Sequence, residues 1–301
     1  MSHLGKDLPE SEPTLRVPLK WVGIEAIPHT LGFKPEFDGD PNPVYMACNI
    51  SMFSSLSKTR RGVHISRLPE TLVEEMQHGP FSMFQFCRNL ADSIREVERQ
   101  DCAMVKLICK HTIQRKTSVT KKPTLIPLLL GAELTASPSG FIYNPSLELE
   151  IMIMCPCVVE MSKANNRGKS RKQMNLRETG LGDGRFSHSQ RAMLKLSVFS
   201  QEAIRHSELL DIAERVAGIV GTTVKRPDEL QLIQKALRNP AFCEDIVRKT
   251  LCLLKTHFKR LPKMKVLKVA ASIQSHESIH PFSIIASGDL SLRRDLGGIR
   301  S

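Results

Sequence analysis

Apolar positions along the chain follow two rhythms, every second residue in some stretches and every third or fourth in others, and these predict strands and helices respectively. Residues 20–27 and 44–52 read as strands separated by the turn-rich FKPEFDGDPNP. Between 80 and 100, Phe81, Phe84, Cys87, Leu90, Ala91, Ile94 and Val97 form a helical stripe, with Pro80 suited to the first helical position. Ala103, Val105, Leu107, Cys109, His111 and Ile113 alternate as a strand, and 124–134 is its expected partner. His111 shares the apolar parity and is read as a core histidine. The cluster TASPSGFIYNP, 135–145, is a turn and the expected module boundary.

Beyond that turn the order repeats. Strands are predicted at 148–155 and 192–199, helices at 205–220, 227–237 and 240–258, and strands again at 265–273 and 282–292. Strands, helices, strands therefore occurs twice, which predicts an α+β chain with a flexible segment at 1–18, a first module at 19–140 and a second at 141–301. Within the second module, 163–185 is basic, Gly- and Asn-rich and nearly apolar-free, so a surface loop is expected there. That loop is either a lid that lends charge to phosphates or a plain surface insertion.

Composition narrows the classes. With 301 residues and 41% hydrophobic content the chain can bury a large core. No apolar run approaches the roughly 20 residues that span a bilayer, and MSHLGKDLPESEP has no signal-peptide core, so a cytoplasmic, membrane-free protein is expected. Eight dispersed cysteines suit a reducing compartment, and no disulfide is expected. A net charge of +12 implies an anionic partner. Aromatics are only 5%, which favours a phosphate-bearing small molecule over nucleic acid, with a merely solvated basic surface as the alternative.

Candidate chemistry sits at the ends of elements. Leu147, Leu149, Ile151, Ile153 and Cys155 share one strand face, Pro156 then stops the ladder, and His188 stands just before the next alternating run. If those strands are neighbours, a thiol and an imidazole 33 positions apart face one point, half of a metal site. A buried cysteine and an ordinary hydrogen-bonded histidine are the plain alternative. Arg60, Arg61, His64 and Arg67 crowd the approach to Pro69, where an anion could meet backbone and side-chain donors. Glu229 and Glu244 each lie in the first turn of a predicted helix, and Glu277 and His280 where a strand runs out.

In order along the chain, RGVHISR, CPC followed by HSQR, KRPDE followed by NPAFCED, and ESIH resemble the type IB GTP cyclohydrolase family of the tunnelling-fold superfamily, over about Trp21 to about Ser287. The resemblance implies a bimodular tunnelling fold, antiparallel sheets backed by helices, closing into a barrel-like homotetramer with sites at subunit interfaces. It implies GTP as substrate, hydrolysed at C8 with release of formate to give 7,8-dihydroneopterin triphosphate for folate and pterin synthesis, or a cyclic phosphate as in archaeal members. It further implies one divalent ion, zinc, iron or manganese, on Cys155, His188 and Glu229. Cys155, Glu244 and His280 are the implied catalytic residues and Glu277 the guanine anchor, with Arg61, His64 and Arg67 the candidate donors to the phosphates. The chain departs from the pattern in its long Cys-to-His connection, in VVEMS after CPC and in Pro281 after ESIH. A metal-free nitrile reductase of the same superfamily does not require His188 and Glu229, and a basic RNA-binding protein predicts salt-sensitive retention of RNA.

Overall fold

The computed structural model describes residues 7–37, 42–166, 186–261 and 265–292. Residues 167–185 of the expected basic loop lie outside the described residues, as do 1–6 of the expected flexible segment.

Strands β1 (Leu19–Phe33), β2 (Val44–Leu56), β3 (Ala103–Lys116), β4 (Pro123–Ser137), β5 (Gly140–Met154), β6 (Ser189–Ser200), β8 (Val266–His276) and β9 (Ser283–Ser291) line up in that spatial order, every pairing antiparallel. The short β7 (Gly218–Ile219) pairs with Ile151 and Met152 on β5. Helices α1 (Arg67–Met76), α2 (Met83–Glu98), α3 (Pro156–Asn166), α4 (His206–Val216), α5 (Arg226–Arg238) and α6 (Cys243–Lys259) complete the elements. One hydrophobic cluster runs from Leu31 on β1 to Ile273 on β8 and takes in α2, α4 and α6. The two expected modules thus share one sheet and one core.

The periodicity that predicts α2 is the one the fold buries: Met83, Phe86, Cys87, Leu90, Ala91 and Ile94 face the sheet. Its start is later than Pro80. Ser82 caps the helix by accepting from the Gln85 N–H at 3.1 Å, while Phe81 pairs with Phe33. The turn expected over 135–145 shrinks to Pro138 and Ser139, because Ser137 and Gly140 already pair and Gly140 takes φ +118°, a conformation that favours glycine. Helix α4 stops at Val216 rather than running on to 220, since the chain turns extended at Ala217 and lends Gly218 and Ile219 to β5. Pro156 both ends β5 and opens α3, a helix the alternation does not announce.

One expectation is corrected. Cys48 and Cys109 are directly opposite on β2 and β3, with Cα atoms 4.1 Å apart, and form a disulfide; dispersal in sequence hid a cross-strand pair 61 residues apart. The described part of the N-terminal segment makes specific contacts. The Arg61 and Gly62 N–H groups donate to Ser11 and Pro9, Asp7 meets His64 and Glu10 meets Arg60, so the segment lies as a strap on the loop after β2. No described helix is long and apolar enough to cross a membrane.

Candidate active site

The strand faces that build the core do not stop where the core stops. On β5 the buried parity Leu149, Ile151, Ile153 continues to Cys155. On β6 the parity of Ala192 and Leu194 runs back to Gln190 and His188, and on β8 that of Val269, Ala271 and Ile273 runs on to Ser275 and Glu277. Antiparallel pairing brings these three extensions to one end of the sheet, since Met154 faces Ser189 and Arg191 faces His276. Polar side chains there occupy the face that apolar ones fill further along.

Backbone bonds hold the group together. The Cys155 N–H donates to the His188 carbonyl at 3.4 Å, and Ser187 Oγ donates to the Cys155 carbonyl at 2.8 Å. Ala241 donates to the Met154 carbonyl at 3.1 Å, which sets the first turn of α6 beside the same strand end. His188 Nδ1 lies 3.2 Å from Ser278 Oγ, leaving Nε2 as the nitrogen able to turn to a ligand. Gln190 Nε2 donates to Glu277 Oε1 at 2.8 Å, and Ser275 Oγ donates to the same oxygen. Burial, then the neighbouring Glu244 and Glu277 carboxylates, push the Cys243 thiol above its ordinary value, against a smaller opposing hydrogen bond with Ser275. Cys243, Gln190, Ser275 and Ser278 are absent from the sequence-derived site, although extending the strand parity past the apolar run finds Gln190 and Ser275.

Other expected residues stand apart within the chain. Glu229 is exposed in the first turn of α5, and its neighbour Asp228 is the engaged carboxylate. Burial raises the Asp228 carboxyl, but bonds from Thr120 Oγ1 (2.5 Å) and the N–H groups of Thr120 (3.0 Å) and Val119 (2.9 Å) hold it well below the usual range, pinning the β3–β4 turn. His280, exposed between β8 and β9, stacks on Phe282 at 5.0 Å. Arg61, His64 and Arg67 lie beyond the far end of β2, at the opposite edge of the strands from Cys155. There His64 Nε2 sits 3.1 Å from both Asp7 carboxylate oxygens, and Arg67 reaches the Val97 carbonyl at 3.4 Å. The hydrogen bond from His64 lowers the Asp7 carboxyl.

As a donor set for a divalent ion, Cys155 and His188 fit: one soft sulfur and one imidazole on adjacent strand ends. Glu229 does not meet them in this chain. Among the described residues the one group of three potential ligands within 4.8 Å of one another is Asp7, Glu10 and His64, into which Arg60 already projects its guanidinium.

Comparison with known proteins gives a consistent family. The model of the type I GTP cyclohydrolase folE2 family matches residues 6–286. The GTP cyclohydrolase FolE2 of Thermosipho melanesiensis is 27% identical over 286 residues, covering 94% of this chain and 97% of the relative. The GTP cyclohydrolase MptA of Methanothermobacter thermautotrophicus is 25% identical over 295 residues, covering 93% and 91%. Among solved structures, the uricase from Arthrobacter globiformis superposes with a TM-score of 0.52 at 8% identity, covering 93% of this chain and 96% of the uricase. That likeness is one of fold: an antiparallel sheet with helices, α+β. The resemblance read from the motifs is met at the level of the type I enzymes, and the chain belongs to the type I GTP cyclohydrolase folE2 family.

Proposed function

We propose that the protein hydrolyses GTP at C8, releasing formate and leaving 7,8-dihydroneopterin triphosphate for pterin and folate synthesis. The observation that carries the reading is the gathering of Cys155, His188, Glu244 and Glu277 at one end of the sheet, in a chain whose relatives are named GTP cyclohydrolases. Cys155 and His188, with Glu229 of a second copy as the third donor, would hold a divalent ion, zinc, iron or manganese, which would supply a Lewis acid able to activate water near neutral pH. Glu277, acceptor-only and already ordered by Gln190 and Ser275, takes the guanine ring N–H groups on its remaining lone pairs. Glu244, exposed beside the buried Cys243, takes and returns protons during ring opening, and His280 serves as the second proton-carrying group.

The triphosphate requires cations, and the basic set Arg61, His64 and Arg67 stands at the opposite end of the strands from Cys155. In a homotetramer with interface sites, a second copy presents Arg61, His64 and Arg67 to the phosphates. The open edges β1 and β9, the latter carrying exposed Ile284 and Ile285, suit such assembly. The test is to incubate metal-reconstituted protein with GTP and measure formate together with the fluorescent pterin formed on oxidation. Formate with a linear triphosphate product supports the reading, formate with a cyclic phosphate supports the archaeal-type outcome, and no formate overturns both.

A further inference from the structure

Gln190 carries a buried carbonyl oxygen, Oε1, that no group among the described residues hydrogen-bonds. Its orientation is settled by chemistry, because a carboxylate only accepts: the amide nitrogen must face Glu277 Oε1, 2.8 Å away, so the amide oxygen must face the other way. A flipped amide would set two acceptors against each other. Ser275 gives a second hydrogen bond to the same Glu277 oxygen, so that oxygen is occupied and Oε2 is the one left for an incoming donor. The site therefore holds two acceptors in need of N–H groups, Glu277 Oε2 and Gln190 Oε1, on residues locked to each other. A buried acceptor without a donor is costly, and a ligand that brings the donor recovers that cost.

Resting on the reading that GTP is the substrate, we propose that Gln190 is a specificity-determining residue that accepts a hydrogen bond from the exocyclic 2-amino group of guanine, alongside Glu277. Guanine carries three hydrogens on adjacent nitrogens, one on N1 and two on the 2-amino group. Glu277 Oε2 takes the N1 hydrogen and the amino hydrogen beside it, and Gln190 Oε1 takes the outer one. Hypoxanthine keeps the N1 hydrogen and lacks the amino group, so it leaves Gln190 unpaired while still giving Glu277 the N1 hydrogen. The pair thus reads guanine against hypoxanthine as well as anchoring the ring.

The experiment measures dissociation constants of GTP and inosine triphosphate for the wild type, Gln190→Met and Gln190→Asn, with circular dichroism to confirm folding. Wild type is expected to prefer GTP by at least about tenfold, and Gln190→Met to lower that preference severalfold, the worth of one buried hydrogen bond, leaving the part owed to Glu277. A residue that only orients Glu277 would weaken both nucleotides equally and leave the ratio intact, so an unchanged ratio in Gln190→Met overturns the proposal, as does a wild type without preference. Should the Met variant not fold, Gln190→Asn, which withdraws the oxygen by one methylene, decides on the same ratio. Formate release from GTP by wild type is scored separately, so failure of this assignment is distinct from failure of the reaction assignment.

Discussion

Replacing Glu36 with leucine removes a carboxylate shared by three parts of the fold. Glu36 follows β1, is 8% exposed, and accepts from the backbone N–H of Met83 (3.3 Å) and of His206 (3.3 Å), the first residues of α2 and α4. It also meets His206 Nδ1 at 3.2 Å, while His206 Nε2 lies 2.9 Å from the Gly131 carbonyl. A carbonyl and a carboxylate both only accept, so the fully buried His206 ring faces an acceptor at each nitrogen. Two helix N-termini account for about 0.3–1 kcal/mol each, too little to decide the outcome. The larger effect is the lost partner: removing one side of a buried, hydrogen-bonded carboxylate–imidazole pair costs about 3–5 kcal/mol.

With an unfolding entropy of about 2.1 cal/mol/K per residue over 301 residues, roughly 0.6 kcal/mol/K, that cost lowers Tm by about 5–8 °C. The assay is thermal unfolding by circular dichroism at pH 7, repeated under acid. Burial pushes the Glu36 carboxyl up, but the bonds from His206 and Met83 outweigh it and hold the group below its ordinary 4.5. The unfolded chain therefore takes the proton first. The contribution is complete above about pH 4.5 and is lost as pH falls through the folded value, so wild type and Glu36→Leu converge on acidification. A Leu variant within about 2 °C of wild type at pH 7, or a gap that widens under acid, refutes the buried pair.

Three further outcomes are expected. Cys155→Ala and His188→Ala each lose most of their bound divalent metal by elemental analysis, and wild-type stoichiometry in both would sink the ligand assignment. Glu244→Gln and His280→Asn keep metal and nucleotide binding and lose formate release by on the order of 10²–10⁴, whereas Glu277→Gln weakens GTP binding itself; metal loss in Glu244→Gln would instead make that carboxylate a ligand. Unfolded but unreduced protein exposes six reactive thiols of its eight cysteines, rising to eight after reduction, and eight before reduction would rule out the Cys48–Cys109 bond.

What could be read from the sequence was whatever a local rhythm encodes. Alternation on β3, β5, β6 and β8 marks strands whose buried faces are the ones the pattern names, and the same alternation put Cys155 and His188 at strand ends that the fold makes neighbours. Pairing across distance left no such mark. Glu36 sits in a stretch that reads as turn, FKPEFDGDPNP, and its role depends on two helix starts 47 and 170 residues away. Cys48 and Cys109 share parity with their strands' apolar residues, so only the register between β2 and β3 distinguishes a disulfide from two core thiols. The basic run before Pro69 announces an anion site, and the chain supplies part of the answer itself by laying Asp7 and Glu10 against His64 and Arg60.

The separation of that basic set from Cys155 carries a consequence for the reaction. From the Tyr143–Ser200 pair to the Met154–Ser189 pair, β5 and β6 run 11 residues, about 36 Å at the usual rise of a strand. The Arg61 loop lies beyond the first end and Cys155 at the second, a gap no arginine side chain and triphosphate can bridge together. If Arg61 and Arg67 serve the phosphates, they serve the site of another copy. Cys155→Ala and the double variant Arg61→Ala/Arg67→Ala should then each be nearly inactive alone, and co-assembled in equal amounts they should recover about a quarter of wild-type activity, because one interface site in four draws its cysteine and its arginines from undamaged faces. Sites built from one chain predict no recovery, since every chain in the mixture carries one lesion. Differently tagged subunits, purified as mixed oligomers and assayed for formate, distinguish the two, and a mixture no more active than its parents refutes the shared site.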